Sequence, residues 1–90
     1  MREKQVEKAL TQTVKNMHGY ALKFISPSMN GVPDRLIILP GGRIAFIELK
    51  APGGKLRPLQ KLRHKQLQQL GIKVFTISHP NQIEEVLNAI

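Results

Sequence analysis

Asp34 lies in Gly31-Val32-Pro33-Asp34-Arg35-Leu36-Ile37-Ile38-Leu39, and fourteen residues on the chain reads Phe46-Ile47-Glu48-Leu49-Lys50. An Asp followed by Glu-x-Lys on an apolar strand puts two carboxylates and an ammonium where they can converge. Side chains on a strand alternate between faces, so Glu48 and Lys50 share one face and Leu49 takes the other. Two carboxylates held close repel unless a positive group lies between them. A divalent metal is the usual such group, and hard cations such as Mg²⁺ take carboxylate oxygen. A lysine beside the pair can orient a water or offset developing charge. The chemistry implied is metal-dependent hydrolysis of a phosphodiester.

Each residue also has a plainer explanation. Asp34 after a proline can simply cap a turn, but its coupling to Glu48-x-Lys50 favours a site. Glu48 sits in an apolar strand, where an unpaired carboxylate is costly. Lys50 could neutralise it as an ion pair; a metal would account for Glu48 and the distant Asp34 together. Lys50 ends the strand, as solvated lysines often do, or else it touches the scissile phosphate or the attacking water. Gln60 is either a surface helix residue or a neutral donor and acceptor for Lys50, water or phosphate.

The elements that must position these groups follow from periodicity. Val6, Leu10, Val14 and Met17 recur at helical spacing over residues 3–17, and the helix is expected to end near His18-Gly19, with Gly19 as a C-cap. Tyr20–Ile25 reads as a strand, 26–33 as a loop and Arg35–Leu39 as a β-branched strand. Pro40-Gly41-Gly42 is a hairpin turn leading into the strand Arg43–Lys50. Pro58 starts a helix that is expected to bury Leu59, Leu62, Leu67 and Leu70 and to stop at Gly71. Ile72–Ser78 is a fourth strand and 81–89 a last helix. The order α-β-β-β-α-β-α, with a long connection through the second helix, lets the fourth strand enter parallel to its neighbour. The fold class is α/β, a mixed four-stranded sheet flanked by helices, with residues 1–90 as one domain.

Ninety residues enclose only a small core, which dimerisation would support. Fourteen Lys and Arg against six acids leave a net charge of +8. Such a balance suits a polyanion partner, because lysine and arginine release counterions from phosphate. Lys55, Arg57, Lys61 and Lys65 follow the Glu-x-Lys strand closely; with His64, Lys61 and Lys65 are expected on a helix side away from the leucines. That side is expected to track a phosphate backbone. One Tyr, three Phe and no Trp give little platform for stacking single strands. His18, His64 and His79 lack metal-ligand spacing. The absence of cysteine removes disulfides and Cys-ligated zinc and fits a reducing, cytoplasmic compartment. No apolar run reaches the ~18 residues of a membrane span, and no secretory leader is expected.

From Leu22 to Gln60 the chain reads LKFISPSMNGVPDRLIILPGGRIAFIELKAPGGKLRPLQ. GVPD, then IELK, then Gln60 ten residues after Lys50, resembles the PD-(D/E)xK nuclease superfamily and, within it, the VRR-NUC group. The likeness covers essentially the whole chain, since minimal members of the group are about this size. The Asp and Glu-x-Lys alone are a weak motif; the flanking glycines and Gln60 make the match specific. Arg57 departs from the small polar residue usual before Pro58, which bears on loop contacts and not on the chemistry.

The resemblance implies a restriction-endonuclease-like core and a Mg²⁺ or Mn²⁺ site. Its ligands would be Asp34, Glu48, the Leu49 carbonyl and an acid of the first helix. Glu3 and Glu7 both qualify, one turn apart on the same face; Glu7, deeper in the helix between Val6 and Leu10, is the one expected. Lys50 and Gln60 complete the catalytic set. The resemblance also implies a homodimer acting on DNA, with two sites related by a dyad that suit a four-way junction. A phage or prophage origin would be natural for the family. The rival reading is a basic DNA-binding module whose carboxylates are structural. Against it, the Asp, the Glu and the Lys are all present.

Overall fold

The computed structural model describes all 90 residues. Its elements are α1 (Glu3–Asn16), β1 (Tyr20–Lys23), β2 (Arg35–Leu39), β3 (Arg43–Leu49), α2 (Pro58–Gln69), β4 (Val74–Ile77), a 3₁₀ turn (Pro80–Gln82) and α3 (Ile83–Asn88). The expected order is thus observed, as a four-stranded sheet in the order β1-β2-β3-β4. β1–β2 and β2–β3 pair antiparallel, and β3–β4 pair parallel. Leu39 pairs with Arg43 across a three-residue loop, Pro40-Gly41-Gly42, in which both glycines take positive φ, 85° and 73°, a conformation that other residues rarely adopt.

One face of the sheet carries the core. Ile37, Leu39, Ala45, Ile47, Leu49 and Ile77 alternate inward and meet Val6, Leu10 and Val14 of α1 and Ile83 and Leu87 of α3. Full burial of a Leu, Ile or Val side chain contributes about 1.5–3 kcal/mol. Arg35 also points to this side and is buried, which α1 accommodates by presenting Glu7 at 2.8 Å. The opposite face carries Tyr20, Leu22, Leu36, Ile38, Ile44 and Phe46, which the registers place side by side. There α2 packs against β4. Phe24 and Phe46 meet edge to face, with ring centroids 5.0 Å apart.

Two expectations are corrected here. Of the four leucines expected to be buried on α2, Leu59, Leu62 and Leu70 are exposed and Leu67 is half-buried, while Gln60 and His64 are buried instead. The reason is what α2 lies against, the polar end of the sheet around Glu48. The left-handed residue after α1 is His18, with φ 64°, and not Gly19. Gly19 serves a different need. A Cβ there would lie 2.5 Å from the Ile38 carbonyl oxygen and 2.8 Å from Leu39 Cδ2. Gly19→Ala is therefore expected to lower stability by at least about 1–3 kcal/mol, the usual cost of overpacking. A urea titration would show it as a lower midpoint at unchanged slope. No helix is long and apolar enough to cross a membrane.

Candidate active site

The β2–β3 register pairs Arg35 with Ile47, so Asp34 lies opposite Glu48 one step further on. Opposed side chains in an antiparallel pair share a face. Both carboxylates therefore rise on the side of the sheet where α2 lies, and Lys50 follows Glu48 on that side. The β4 register sets Thr76 beside Glu48. These residues stand at the carboxyl end of the parallel pair β3–β4, the end at which open α/β sheets usually bind ligands.

Asp34 Oδ1 accepts the Leu49 N–H at 3.2 Å. Along a strand the N–H and C=O of one residue leave on the same side, so the Leu49 carbonyl faces β2 and Asp34. The Lys50 N–H points the other way, to the Ile77 oxygen at 2.9 Å. Burial raises the Asp34 pKa above its ordinary value, opposed by the Leu49 hydrogen bond and the Arg35 charge. Glu48 is 5% exposed. Burial first, then the charge of Asp34, pushes its pKa up to about 7, with Lys50 acting against the shift.

No lysine or arginine lies within ion-pair distance of Asp34 or Glu48; the basic group nearest Glu48 is His64, 4.0 Å away. Glu48 Oε1 is buried without a hydrogen-bond partner. Two partly desolvated carboxylates and a backbone carbonyl make an all-oxygen donor set, which fits Mg²⁺ or Mn²⁺ and not a soft metal. No three His, Cys, Asp or Glu side chains are gathered tightly enough to hold a metal by themselves. A cation here would need the carbonyl, water or substrate oxygen as well, as Mg²⁺ sites commonly do.

The other expected site residues divide. Lys50 is half-buried at the rim. Gln60 is buried, and its Oε1 accepts the Arg57 N–H at 2.9 Å, closing the first turn of α2. That leaves its amide nitrogen for other partners. Lys55, Arg57, Lys61 and Lys65 are exposed, as a phosphate-tracking set must be. His64 is not: it is buried facing Glu48, which removes it from the set of surface DNA contacts. Glu7, the α1 acid expected at the site, is half-buried. It lines a small cavity with Asp34, but its carboxylate is taken by Arg35. The α1 acid whose charge bears on both Asp34 and Glu48 is Glu3.

Two residues escaped sequence reasoning. Arg35 alternates with Ile37 and Leu39 and so had to point inward, where a guanidinium requires an acid. That parity was the available signal for the Glu7 pairing. Thr76 carried no signal, because its place beside Glu48 depends on the β3–β4 register.

No family model matches the chain. It is 47% identical over 77 residues to a protein of Acyrthosiphon pisum secondary endosymbiont phage 1 described as "Putative nuclease p44", across 86% of this chain and 83% of that one. Among solved structures it resembles one described as "VRR_NUC domain", with a TM-score of 0.87 and 29% identity, over 96% of this chain and 94% of that one.

Proposed function

Since this chain belongs to the VRR-NUC family and is a nuclease, we propose that it is a metal-dependent endodeoxyribonuclease that acts by preference on branched DNA such as four-way junctions. The observation carrying this reading is the cross-strand pair Asp34 and Glu48, which no protein cation neutralises at contact distance, with Lys50 on the same face. Asp34, Glu48 and the Leu49 carbonyl, completed by water or substrate oxygen, would hold Mg²⁺ or Mn²⁺. A bound cation supplies Lewis acidity to the phosphate and to the attacking water.

The chain's own groups do the rest. Asp34, tied to the Leu49 N–H, presents its remaining oxygen in a fixed direction. Lys50 orients the attacking water or holds a phosphate oxygen as charge builds on it. Gln60 keeps α2 starting beside the site through Arg57 and offers its amide N–H to water or phosphate. Lys55, Arg57, Lys61 and Lys65 track the backbone of the DNA, whose binding the net charge of +8 favours. Two of the three Phe rings pack on each other, which leaves little to stack unpaired bases.

The proposal includes a homodimer. Tyr20, Leu22 and Ile44 are 67%, 45% and 52% exposed on the sheet face away from the core, and Leu59 and Leu62 of α2 are exposed as well. Apolar surface of this kind marks an interaction site, and a second copy covers it on both partners at once. Light scattering at micromolar concentration is expected to give twice the 10.1 kDa chain mass. Ile44→Glu, which places a charge on the bare face, is expected to give a monomer. Cleavage with Mg²⁺ or Mn²⁺ of single strands, duplex, flaps, splayed arms and four-way junctions should rank junctions first and linear duplex last. A wild-type monomer that cuts linear duplex as fast as junctions would refute the assignment of substrate and assembly.

A further inference from the structure

Two buried side-chain polar atoms lack a hydrogen-bond partner, Glu48 Oε1 and His64 Nε2. They face each other at 4.0 Å. Buried polar atoms are nearly always paired, and leaving one unmade costs about 1–3 kcal/mol. At 4.0 Å the contact is too long for a hydrogen bond, yet about 1 Å of approach would complete it. His64 lies one helical turn beyond Gln60, so α2 turns both polar side chains toward the sheet where a leucine stripe was available. Burying an imidazole there rather than a leucine is a loss of apolar packing that needs a compensating role.

A neutral imidazole carries one N–H. With the proton on Nε2, a donor is aimed at a carboxylate oxygen; with the proton on Nδ1, two lone pairs are set against each other. Of the two Glu48 oxygens only Oε1 is buried and orphaned, which leaves Oε2 for another partner.

We propose that His64 is a positioning residue for Glu48: its Nε2–H donates to Oε1 and fixes the carboxylate that, with Asp34, would hold the cation. This inference rests on the reading of Asp34 and Glu48 as a metal site. Partners that orient a metal-ligating group in this way typically account for about 10–100-fold in metal affinity.

The test is Mn²⁺ binding to DNA-free protein, followed by the electron paramagnetic resonance of free Mn²⁺, with melting curves recorded in EDTA. Wild type is compared with Glu48→Gln, His64→Leu, His64→Asn and His64→Gln. His64→Leu keeps the volume and removes the donor. His64→Asn stays polar, with its amide too short to reach Oε1. His64→Gln carries an amide nitrogen about where Nε2 lies. The expected result is Mn²⁺ binding about tenfold weaker in His64→Leu and His64→Asn and near wild type in His64→Gln. If His64→Leu does not fold, His64→Asn decides. Binding by His64→Asn within twofold of wild type, or a loss in His64→Gln as large as in His64→Asn, overturns the role of His64 and leaves the metal site standing. Failure of wild type to bind Mn²⁺, or equal binding by Glu48→Gln, overturns the metal site and this inference with it.

Discussion

Glu48→Gln is expected to lower DNA cleavage by about 10³-fold or more while making the metal-free protein more stable at alkaline pH. The catalytic loss follows from the charge stabilisation that a metal supplies, several kcal/mol at about 1.36 kcal/mol per tenfold in rate. Without the Glu48 charge, Asp34 and a carbonyl are too few to hold the cation. The stability gain comes from the same burial. The Glu48 pKa is raised from 4.5 to about 7, so the folded state binds this proton more tightly than the unfolded chain does. Below the unfolded value the shift brings no penalty. As pH climbs from 4.5 to 7 a penalty develops, and above 7 it is complete, on the order of 3 kcal/mol at 1.36 kcal/mol per unit. Glutamine never ionises and escapes it. Melting curves in EDTA at pH 5 and pH 8 should therefore show the mutant's advantage only at the higher pH. Asp34→Ala is expected to lose activity equally. It should also bring the Glu48 pKa down, because the Asp34 charge is the second cause of its rise. Near-normal cleavage by either variant at saturating Mn²⁺ would remove these residues from the site.

Lys50→Ala is expected to reduce turnover by about 10²–10³-fold, the range for removal of one preorganised group that stabilises transition-state charge. DNA affinity should fall no more than about threefold, since Lys50 is one of fourteen basic residues that can meet phosphate. The split arises from position. Lys50 follows Glu48 on the same face, whereas Lys55, Arg57, Lys61 and Lys65 lie beyond it along the loop and α2. Binding measured in Ca²⁺ in place of Mg²⁺, by fluorescence anisotropy on a labelled junction, separates affinity from turnover. A loss of affinity in proportion to rate would make Lys50 a binding residue. Lys61→Ala provides the contrast, with its loss in affinity and in a shallower salt dependence at little change in turnover once DNA is saturating.

Much of this molecule was legible in the order of its residues. Strand β2 runs over Arg35–Leu39, as its β-branched content suggested, and Pro40 with the glycine pair at 41–42 marks the hairpin. Helices and strands announce themselves by periodicity because their geometry is local. The approach of Asp34 to Glu48 is nearly local too: the two strands are joined by a tight turn, so the register that pairs them follows from the turn. Three matters needed the tertiary structure. Residues on α2 offered two competing faces, leucines at 59, 62 and 70 and a polar pair at 60 and 64. Which face turns inward depends on the part of the sheet the helix reaches, and the crossover to β4 sets it over Glu48. Glu3 and Glu7 share one stripe of α1, so no pattern within the helix separates them. Arg35, arriving from β2 on the core side, pairs with Glu7, and only the packing of α1 on the sheet creates that contact. His64 looked like one more basic surface residue, because burial is a property of what packs above a side chain, and periodicity reports only the helix that carries it.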